Sequence, residues 1–403
     1  MGAIYKYKKI FLFFLAFACI MMTVLTGQWF IFSKVPINKG YNVSEQMEIR
    51  RVLSINQCKD STNKTVVDIV RKKKDTLFGS KNFLYCPIPK VGSTTWKQIL
   101  ILLKNKCKKC TNVRDVKRVH DILNDYWDSD KFRNMKKVLD RSQKMIIVRE
   151  PYSRLLSGYI NKVFIPVRLV FWENTWKYVE RKRPVSHKKC VDFTFPEIVR
   201  YVIKAIKTNT MYNAHFDTMS NICKPCEIRY DYILKMETFN VDTMYMLKKL
   251  NRSDVYNDTD TLKRDSIVDS ITWDINNMFR KDTGKCQSKP EKIRRLWRSF
   301  QISGYIGKNV KLPLSKKAEK NISKQELLQI VINATKIKNA NNKVNKRLAL
   351  IEAYSQVPYS DLVQLSEIFQ QDCDIFGYDC KPDILFNRTK YPPSTNFLDI
   401  WST

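Results

Sequence analysis

The stretch YCPIPKVGSTTWKQIL, residues 85–100, decides the fold of this chain. It opens in an apolar run, residues 82–88, which predicts a short buried strand. Pro87 and Pro89 close that strand into a loop, because proline cannot donate to a sheet ladder. Over residues 94–103 the apolar side chains recur at helical spacing and fall on one side. The stretch therefore predicts a strand, a loop and a helix in succession.

The loop between this strand and this helix has the composition of an anion-binding site. Backbone N–H groups at a helix start attract anions with the help of the helix dipole, and Gly92 lets the backbone come close. Lys90 adds a positive charge beside the anion. A plain capped helix start is the alternative. We predict that every residue of the loop contributes to binding: Pro89, Lys90, Val91, Gly92, Ser93, Thr94 and Thr95.

The amino-acid sequence of the loop differs from the phosphate-binding motif of nucleoside triphosphatases. That motif is G-x-x-x-x-G-K-[ST], in which the lysine follows the second glycine. Here Lys90 precedes Gly92, and the loop contains no second glycine. The sequence therefore disfavours a magnesium-dependent kinase or ATPase.

A second strand, turn and helix follow in IIVREPYSRLLSGYINKV, residues 146–163. Arg149 directly follows the apolar strand, at the strand end where α/β sheets bind ligands. Its guanidinium can bind a phosphate through two parallel hydrogen bonds. Ser157 lies about two turns into the helix and can add a hydroxyl to the same anion. A structural pairing of Arg149 with Glu150 is the alternative. We predict an anion site over the whole segment: Arg149, Glu150, Pro151, Tyr152, Ser153, Arg154, Leu155, Leu156 and Ser157.

Strands and helices alternate along the chain. This order predicts an α/β fold with a mainly parallel sheet flanked by helices. Residues 251–299 are rich in Asp, Asn and Lys and resemble an exposed insertion. The remaining predicted elements are strands at 144–148 and 230–235, and helices at 152–163, 195–207, 241–250 and 360–376.

Residues 10–32 contain no charged side chain. As a helix they would extend about 34 Å, enough to cross a bilayer core of about 30 Å. Lysines before this run favour a cytosolic N-terminus, and a cleaved signal peptide is the alternative. We predict a cytosolic tail at 1–9, a transmembrane signal-anchor at 10–32, a stem at 33–78, a lumenal domain at 79–385 with an extended insertion at 251–345, and a C-terminal tail at 386–403.

The chain is strongly basic, with 72 Lys and Arg against 39 Asp and Glu and a formal net charge of +33. Such a field attracts polyanions, which include nucleic acid, anionic lipid, nucleotides and acidic polysaccharides. A coding bias toward lysine and asparagine explains the charge equally well. The anchor and the lack of a nucleic-acid-binding motif argue against a nucleic-acid partner.

Sequons and cysteines agree with a lumenal domain. Ten of the 11 cysteines lie outside the anchor, an even number that is compatible with disulfides in an oxidising compartment. The pairs Cys107-x-x-Cys110 and Cys223-x-x-Cys226 lack the partner spacing of a zinc site, so we predict structural disulfides for both and no metal. The predicted glycosylation sites are Asn42, Asn63, Asn251, Asn257, Asn321, Asn333 and Asn387.

Taken together, residues 85–100 and 146–163 resemble the Golgi carbohydrate sulfotransferase family. That family contains the chondroitin and dermatan 4-O-sulfotransferases, the N-acetylgalactosamine 4-sulfotransferases and the glucuronyl 3-sulfotransferase of the natural-killer-cell epitope. Two later segments strengthen the resemblance: HFDTMSNICKPCEIRYDYILKMETF at 215–239 and VPYSDLVQLSEIFQQDCDIFGY at 357–378.

The resemblance implies the P-loop-like fold of sulfotransferases that use 3′-phosphoadenosine 5′-phosphosulfate as donor. The loop at 89–95 would hold the 5′-phosphosulfate, with Lys90 on the bridging oxygen. Arg149 and Ser157 would hold the 3′-phosphate. Many members carry Cys-Thr-Asn at the positions of the Ser-Thr-Thr run in this loop, and the change keeps hydroxyl donors.

The acceptor hydroxyl needs a general base within hydrogen-bond reach. His215 is the first candidate, because histidine suits proton transfer near neutral pH and the family has a histidine at the matching place. His120 also matches a family histidine and is the rival, and Glu237 is a further possibility. A structural role is the alternative for each of them.

The expected function is therefore transfer of a sulfuryl group to a glycan hydroxyl, first of all the 4-O of N-acetylgalactosamine in chondroitin, dermatan or a related glycan. The expected location is the Golgi membrane, as a single-pass type II protein with a lumenal catalytic domain. An inactive sulfated-glycan-binding protein on the same fold is the alternative.

Overall fold

A four-stranded sheet carries both predicted anion-binding loops. Its strands are β1 (Phe78–Gly79), β2 (Phe83–Cys86), β3 (Gln143–Val148) and β4 (Tyr232–Lys235), in the spatial order β1-β2-β3-β4. The pairs β2–β3 and β3–β4 are parallel, and β1 is antiparallel to β2. The prediction of a mainly parallel sheet is confirmed. Three parallel strands end at the same edge, so the loops that follow them are neighbours.

The computed structural model describes residues 41–58, 77–79, 82–104, 107, 109–110, 113–116, 119, 135–165, 178–180, 192–255, 259–280, 287–337 and 344–400. The predicted anchor at 10–32, His120, Asn63 and Asn257 lie outside these residues. Within the described ranges, no helix has both the length and the apolar character needed to span a bilayer.

Burial explains why the strand sequences are apolar throughout. All of β2 is buried, and so are the last four residues of β3. Strands covered by helices on both faces need continuous apolar runs rather than alternation. The helix after β2 adds Trp96, whose ring lies 6.1 Å from that of Tyr85 and whose Nε1 donates to Thr243 at 3.2 Å.

Helices make up most of the rest of the described chain, and those predicted at 94–103, 195–207, 241–250 and 360–376 are confirmed within two residues at each end. The helix predicted at 152–163 ends in one π-helical turn, Ile160–Phe164. The helices are α1 (Val43–Gln57), α2 (Ser93–Leu103), α3 (Met135–Arg141), α4 (Pro151–Tyr159), α5 (Phe195–Lys207), α6 (Met219–Cys223), α7 (Phe239–Lys249), α8 (Thr259–Met278), α9 (Lys289–Ile302), α10 (Lys316–Asn321), α11 (Lys324–Lys336), α12 (Asn345–Ser355), α13 (Tyr359–Phe376) and α14 (Asp383–Phe386).

Helix α1 corrects the predicted stem at 33–78. Its Arg50 is 7% exposed and makes a buried ion pair with Asp242 at 2.7 Å. Just beyond the helix, Cys58 is disulfide-bonded to Cys226. A segment held by a buried ion pair and a disulfide belongs to the folded body and is not a linker.

Helices α8 and α9 correct the predicted exposed insertion at 251–299. In α8 the side chains of Ile271, Ile275 and Met278 are buried, at the spacing of one helix face. In α9 the indole of Trp297 is buried as well. The polar composition of this region reflects the outer faces of two packed helices.

The cysteines pair over long distances as well as short ones. Cys107 and Cys110 bond to each other, as their spacing suggested. Cys223 and Cys226 are both oxidised, but each is bonded to a distant partner instead of to its neighbour. The described disulfides are Cys58–Cys226, Cys86–Cys223, Cys107–Cys110 and Cys373–Cys380.

Candidate functional site

The loop after β2 is held in a shape that few residues adopt. Gly92 starts α2 at φ 80°, and Lys90 has φ 72°, a left-handed conformation that is uncommon outside glycine. A Cβ at Gly92 would lie 2.6 Å from Cε2 of Phe239, so glycine is required for space as well as for conformation. Gly92 has no side chain that could cap α2, and no described side chain bonds the N–H groups of its first turn. Its N–H groups are therefore available to an anion.

Arg149 joins the two predicted anion segments. Its Nη1 donates to the carbonyl oxygen of Lys90 at 3.1 Å. Burial lowers the pKa of the Arg149 guanidinium, and the carboxylates of Glu237 and Glu150 oppose that shift. Two basic side chains that lie 59 residues apart in sequence thus share one edge of the sheet.

Arg154 supports the loop from behind. It is 4% exposed, and its guanidinium donates to the carbonyl oxygens of Pro89 at 3.1 Å, Asp217 at 2.6 Å and Ala214 at 2.9 Å. These bonds use three of the five N–H donors of the guanidinium. Arg154 therefore orders the site, and direct binding of the ligand by Arg154 stays a prediction.

Several other residues of the second segment also form the frame. The Glu150 carboxylate caps α4 by accepting from the backbone N–H groups of Tyr152 at 2.9 Å and Ser153 at 2.7 Å. The Tyr152 hydroxyl donates to the carbonyl oxygen of Cys380. Ligand binding by the whole segment stays a prediction, and the following members are buried: Glu150, Pro151, Tyr152, Arg154, Leu155 and Leu156. The half-buried members are Arg149, Ser153 and Ser157.

Both carboxylate oxygens of Glu237 accept a hydrogen bond. One carboxylate oxygen accepts from the backbone N–H of Glu150 at 3.0 Å, and the other accepts from the Tyr378 hydroxyl at 3.1 Å. The Lys235 ammonium lies 4.3 Å from the centre of the Tyr378 ring. These contacts fix the Gly-Tyr end of the C-terminal segment against the sheet. They support an orienting role for Glu237, and its role as base stays a prediction.

His215 is half-buried beside α4. Its Nδ1 lies 3.0 Å from Oδ1 of Asn213, which also accepts from the His215 backbone N–H. A Cβ at Gly158 would lie 2.8 Å from the His215 carbonyl oxygen, so this glycine allows the close approach. An Nδ1–H bond to Asn213 would leave Nε2 as an acceptor. The assignment of His215 as base stays a prediction.

Three residues near Lys90 were not predicted from the sequence. Asp274 on α8 and Lys162 at the end of α4 both act electrostatically on Lys90. Tyr305, in the turn after α9, acts electrostatically with both Asp274 and Arg149. The buried spacing of Ile271 and its neighbours is the signal that would have revealed α8 and placed Asp274 at the edge of its buried face.

These charges perturb one another. Burial, with smaller contributions from Lys162 and Arg149, lowers the pKa of Lys90 to about 7, and Asp274 opposes the shift. Burial raises the pKa of Asp274 to about 6, against the influence of Lys90 and Lys162. Shifted acids and bases that converge on one loop are typical of a functional site.

The site places two basic residues, Lys90 and Arg149, where they can bind an anion with two negatively charged groups. Among the described residues, the Lys90 ammonium has no hydrogen-bond or ion-pair partner, and Arg149 stands at its side. The described part of the chain contains no group of three or more His, Cys, Asp or Glu arranged to hold a metal ion.

Comparison with known proteins points in the same direction. Residues 76–302 match the sulfotransferase family. Carbohydrate sulfotransferase 11 of Rattus norvegicus is 29% identical over 177 residues, which is 41% of this chain and 49% of that protein. Carbohydrate sulfotransferase 12 of Xenopus laevis is 27% identical over 213 residues (46% and 50%), and carbohydrate sulfotransferase 14 of Danio rerio is 32% identical over 174 residues (42% and 46%).

The match is confined to part of each protein. The chain spans about half the length of the curated relatives it matches. No solved structure matches it significantly. The matched residues 76–302 nevertheless cover more than half of the chain and include β2, the Lys90 loop, Arg149 and Asp274. This chain belongs to the sulfotransferase family.

Proposed function

We propose that this protein transfers a sulfuryl group from 3′-phosphoadenosine 5′-phosphosulfate to a hydroxyl group of a glycan. The hydrogen bond from Arg149 to the carbonyl of Lys90 is the observation that carries the proposal, because it brings two anion-binding segments together. The donor carries a 3′-phosphate and a 5′-phosphosulfate on one ribose, and a site with two separate cationic segments matches these two anionic groups. The named relatives are carbohydrate sulfotransferases, which supports a glycan as acceptor.

In the proposed binding mode, each of the two anion-binding segments holds one end of the donor. The uncapped first turn of α2 and the hydroxyl groups of Ser93, Thr94 and Thr95 hold the 5′-phosphosulfate. Arg149 and Ser157 hold the 3′-phosphate. Arg154 and Glu150 shape the loops without touching the donor, because their polar atoms are already bonded to backbone groups.

Lys90 has the chemical role in this mode. Sulfuryl transfer, like phosphoryl transfer, needs positioned reactants and stabilisation of the charge that develops on the leaving oxygen. The Lys90 ammonium stands at the loop that holds the phosphosulfate and can donate to that oxygen. Its pKa of about 7 is that of the site without an anion, and a bound anion favours the protonated form.

The test removes each cation in turn. We expect Lys90→Ala to lower sulfate transfer from labelled donor by roughly 10²- to 10³-fold, as for the loss of one positioned donor to a developing anion. We expect Arg149→Ala to weaken binding of adenosine 3′,5′-bisphosphate by roughly 10- to 100-fold, since it loses charge-assisted hydrogen bonds. Lys248→Ala, an exposed site on α7, is the matched control.

Two outcomes would reject the assignment. Full activity of Lys90→Ala would remove the proposed role of the lysine and would fit an inactive glycan-binding protein with the same fold. Unchanged affinity of Arg149→Ala for the bisphosphate would remove the 3′-phosphate assignment. Arg149→Lys separates charge from geometry, because lysine keeps the charge and loses the two parallel bonds.

For the acceptor, we propose the 4-O of N-acetylgalactosamine in chondroitin, dermatan or a related glycan. The net charge of +33 fits an acidic polysaccharide. Sulfation of a panel of desulfated glycosaminoglycans and N-glycans, followed by disaccharide analysis, identifies the sugar and the position. Transfer only to neutral N-glycans would reject chondroitin and dermatan.

We further propose residence in the Golgi membrane, with residues 10–32 as the anchor and the folded body in the lumen. The described disulfides support an oxidising compartment. Among the predicted glycosylation sites, Asn42, Asn251, Asn321, Asn333 and Asn387 carry exposed side chains. Sensitivity of the expressed protein to endoglycosidase checks the topology, and an unglycosylated protein would contradict it.

A further inference from the structure

We propose that Tyr178 and Tyr212 form a tyrosine platform that binds a sugar ring of the acceptor glycan. The platform rests on the proposed function, because it adds an acceptor subsite to the two donor-binding loops. Two observations carry it: the rings of the two tyrosines are stacked and exposed, and hydrogen bonds join the Tyr212 segment to the Lys90 loop.

The two tyrosine rings stack on each other at the protein surface. Their centroids are 6.2 Å apart, and their planes are inclined by 30°. Tyr178 is 41% exposed and Tyr212 is 69% exposed. In the part of the chain that the structure describes, they are the two strongly exposed aromatic side chains that contact each other. Single exposed aromatic side chains are common, but a stacked pair presents a continuous apolar face that a ligand can cover.

The Tyr178 side of the platform is anchored to α5. Val179, the next residue, is buried. Glu180 then forms an ion pair with Lys204 in α5. The backbone that carries the Tyr178 ring is therefore attached to a helix, although the ring itself faces solvent.

The Tyr212 side is anchored to the same helix. Tyr201 in α5 donates its hydroxyl hydrogen to Sδ of Met211 at 3.7 Å, and Met211 directly precedes Tyr212. Asn213, which follows Tyr212, is 8% exposed. Because the neighbours of both rings are already ordered, a ligand that binds the platform loses little affinity to ordering of the protein.

Hydrogen bonds connect the Tyr212 segment to the donor loop. The carbonyl oxygen of Ala214, two residues after Tyr212, accepts from Nη2 of Arg154 at 2.9 Å. Nε of the same guanidinium donates to the carbonyl oxygen of Pro89 at 3.1 Å. Along this path the Cα of Tyr212 lies within about 20 Å of the Pro89 carbonyl oxygen. A glycan of a few sugars is long enough to span that distance.

The Tyr212 segment also carries the predicted base. His215 follows Tyr212 by three residues, and its Nδ1 lies 3.0 Å from Oδ1 of Asn213. Asn213 therefore holds the imidazole and is the direct neighbour of a platform residue. One short segment thus joins the proposed sugar contact, the predicted base and the support of the donor loop.

The chemistry of stacked tyrosines suits a sugar ring. One face of a pyranose ring presents C–H groups with a small positive charge, whereas the face of an aromatic ring is negative. Contact between the two faces removes apolar surface from water and leaves the sugar hydroxyl groups free for hydrogen bonds. The two tyrosine hydroxyl groups add donors and acceptors at the rim of the platform.

Positive charge near the platform favours an acidic glycan. Lys204 binds the Tyr178 segment through Glu180, and the exposed Lys207 is its neighbour on the surface of α5. Lys207 donates to the side-chain oxygen of Gln364 at 2.7 Å, and this neutral partner does not cancel its charge. A carboxylate on a sugar next to the stacked one can use that charge.

The test uses the full-length chain and an oligosaccharide of desulfated chondroitin. We expect Tyr178→Ala and Tyr212→Ala each to weaken glycan binding in calorimetric titration, and to raise KM for the glycan, by roughly 5- to 10-fold, because each removes one ring of the platform. The kcat for sulfation and the affinity for adenosine 3′,5′-bisphosphate should change by less than about twofold, since the rings contact neither the donor nor the reacting atoms.

Three controls separate the ring from other effects. Tyr212→Phe keeps the ring, so its KM for the glycan should stay within about threefold of wild type. Tyr359→Ala removes a tyrosine on α13 that is 53% exposed and should leave glycan binding unchanged. Slow release of sulfate from the donor to water needs no glycan, and it should be the same in wild type and in both platform variants.

Wild-type glycan affinity and KM in both Tyr178→Ala and Tyr212→Ala would overturn the platform and leave the proposed function intact. A parallel loss of bisphosphate binding and sulfate release would assign the tyrosines to the stability of the fold and would also overturn it. So would a defect that appears only when the glycan is attached to a protein. Glycan binding by wild type that is weakened in Tyr212→Ala, without any sulfate transfer, would support the platform and reject the proposed function.

Discussion

Replacement of Gly92 by alanine tests the physical basis of the anion-binding loop. Gly92 has φ +80°, and a Cβ there would lie 2.6 Å from Cε2 and 3.0 Å from Cζ of Phe239. Two separate penalties follow, one from the backbone conformation and one from the aromatic ring. We expect Gly92→Ala to lower the free energy of unfolding and to weaken anion binding together.

The size of the effect follows from three contributions. A left-handed conformation costs an L-residue about 1 to 2 kcal/mol, and pushing the half-buried Phe239 ring off its rotamer costs about 0.5 to 1.5 kcal/mol. Alanine also stiffens the unfolded chain, which offsets about 0.4 to 1 kcal/mol. The expected net loss is therefore about 0.5 to 3 kcal/mol.

The two penalties can be separated in a Phe239→Ala background. Without the ring, the same glycine change should cost about 0.5 to 1.5 kcal/mol less, because only the backbone contribution remains. Urea unfolding followed by tryptophan fluorescence measures stability, and calorimetric titration measures binding of adenosine 3′,5′-bisphosphate. Equal losses in both backgrounds would refute the steric contact. A gain in stability from Gly92→Ala in the Phe239→Ala background would refute the conformational argument as well.

Two further predictions concern Arg154 and Lys90. Arg154→Ala leaves three carbonyl oxygens without their donor, so we expect it to lower the free energy of unfolding by about 3 kcal/mol or more. The exposed control Arg141→Ala should lower it by less than about 0.5 kcal/mol. A similarly small loss for Arg154→Ala in urea unfolding would show that water replaces the guanidinium. Because burial lowers the pKa of Lys90 to about 7, the ammonium loses its proton as pH rises through 7, and affinity for adenosine 3′,5′-bisphosphate should fall by up to about tenfold per pH unit above that point. The Lys90→Arg variant keeps its positive charge, so its affinity for adenosine 3′,5′-bisphosphate should depend little on pH. If calorimetry shows the same pH dependence for wild type and Lys90→Arg, the group that loses its proton is not Lys90.

Local patterns predicted the elements that carry the site. The apolar runs at β2 and β3 are continuous because both faces of these strands are covered, and such runs predict buried parallel strands. The lysine and glycine that follow β2 predicted an anion loop by their residue types alone. Arg149 was correctly expected at the strand end, where its side chain contacts that loop.

Long-range pairing limited what could be predicted. Helix α1 contains a buried Arg50 whose charge is paired with Asp242. The two residues are 192 positions apart in sequence, so no local pattern predicts their contact. Arg149 and Arg154 lie in the same segment, and no local pattern distinguishes them. In the structure Arg149 contacts the Lys90 loop at the edge of the sheet, whereas Arg154 is buried among backbone carbonyl groups. The few buried positions of α8 are scattered among polar residues, so Asp274 was hidden in a segment that resembled an exposed insertion.

The disulfides around the site have a consequence for biosynthesis. Cys86 ends β2, three residues before the loop begins, and its partner Cys223 is made 137 residues later. Cys58 precedes Cys86 in the chain, so both thiols emerge before either of their partners, and the partner of Cys58 is Cys226. Oxidation in order of synthesis would join the wrong cysteines, so the native pairs require thiol–disulfide exchange after most of the sheet has formed. Correct assembly of the anion loop thus depends on disulfide isomerisation in the compartment where the chain matures, and molecules with an intact Cys86–Cys223 bond are those that have completed it.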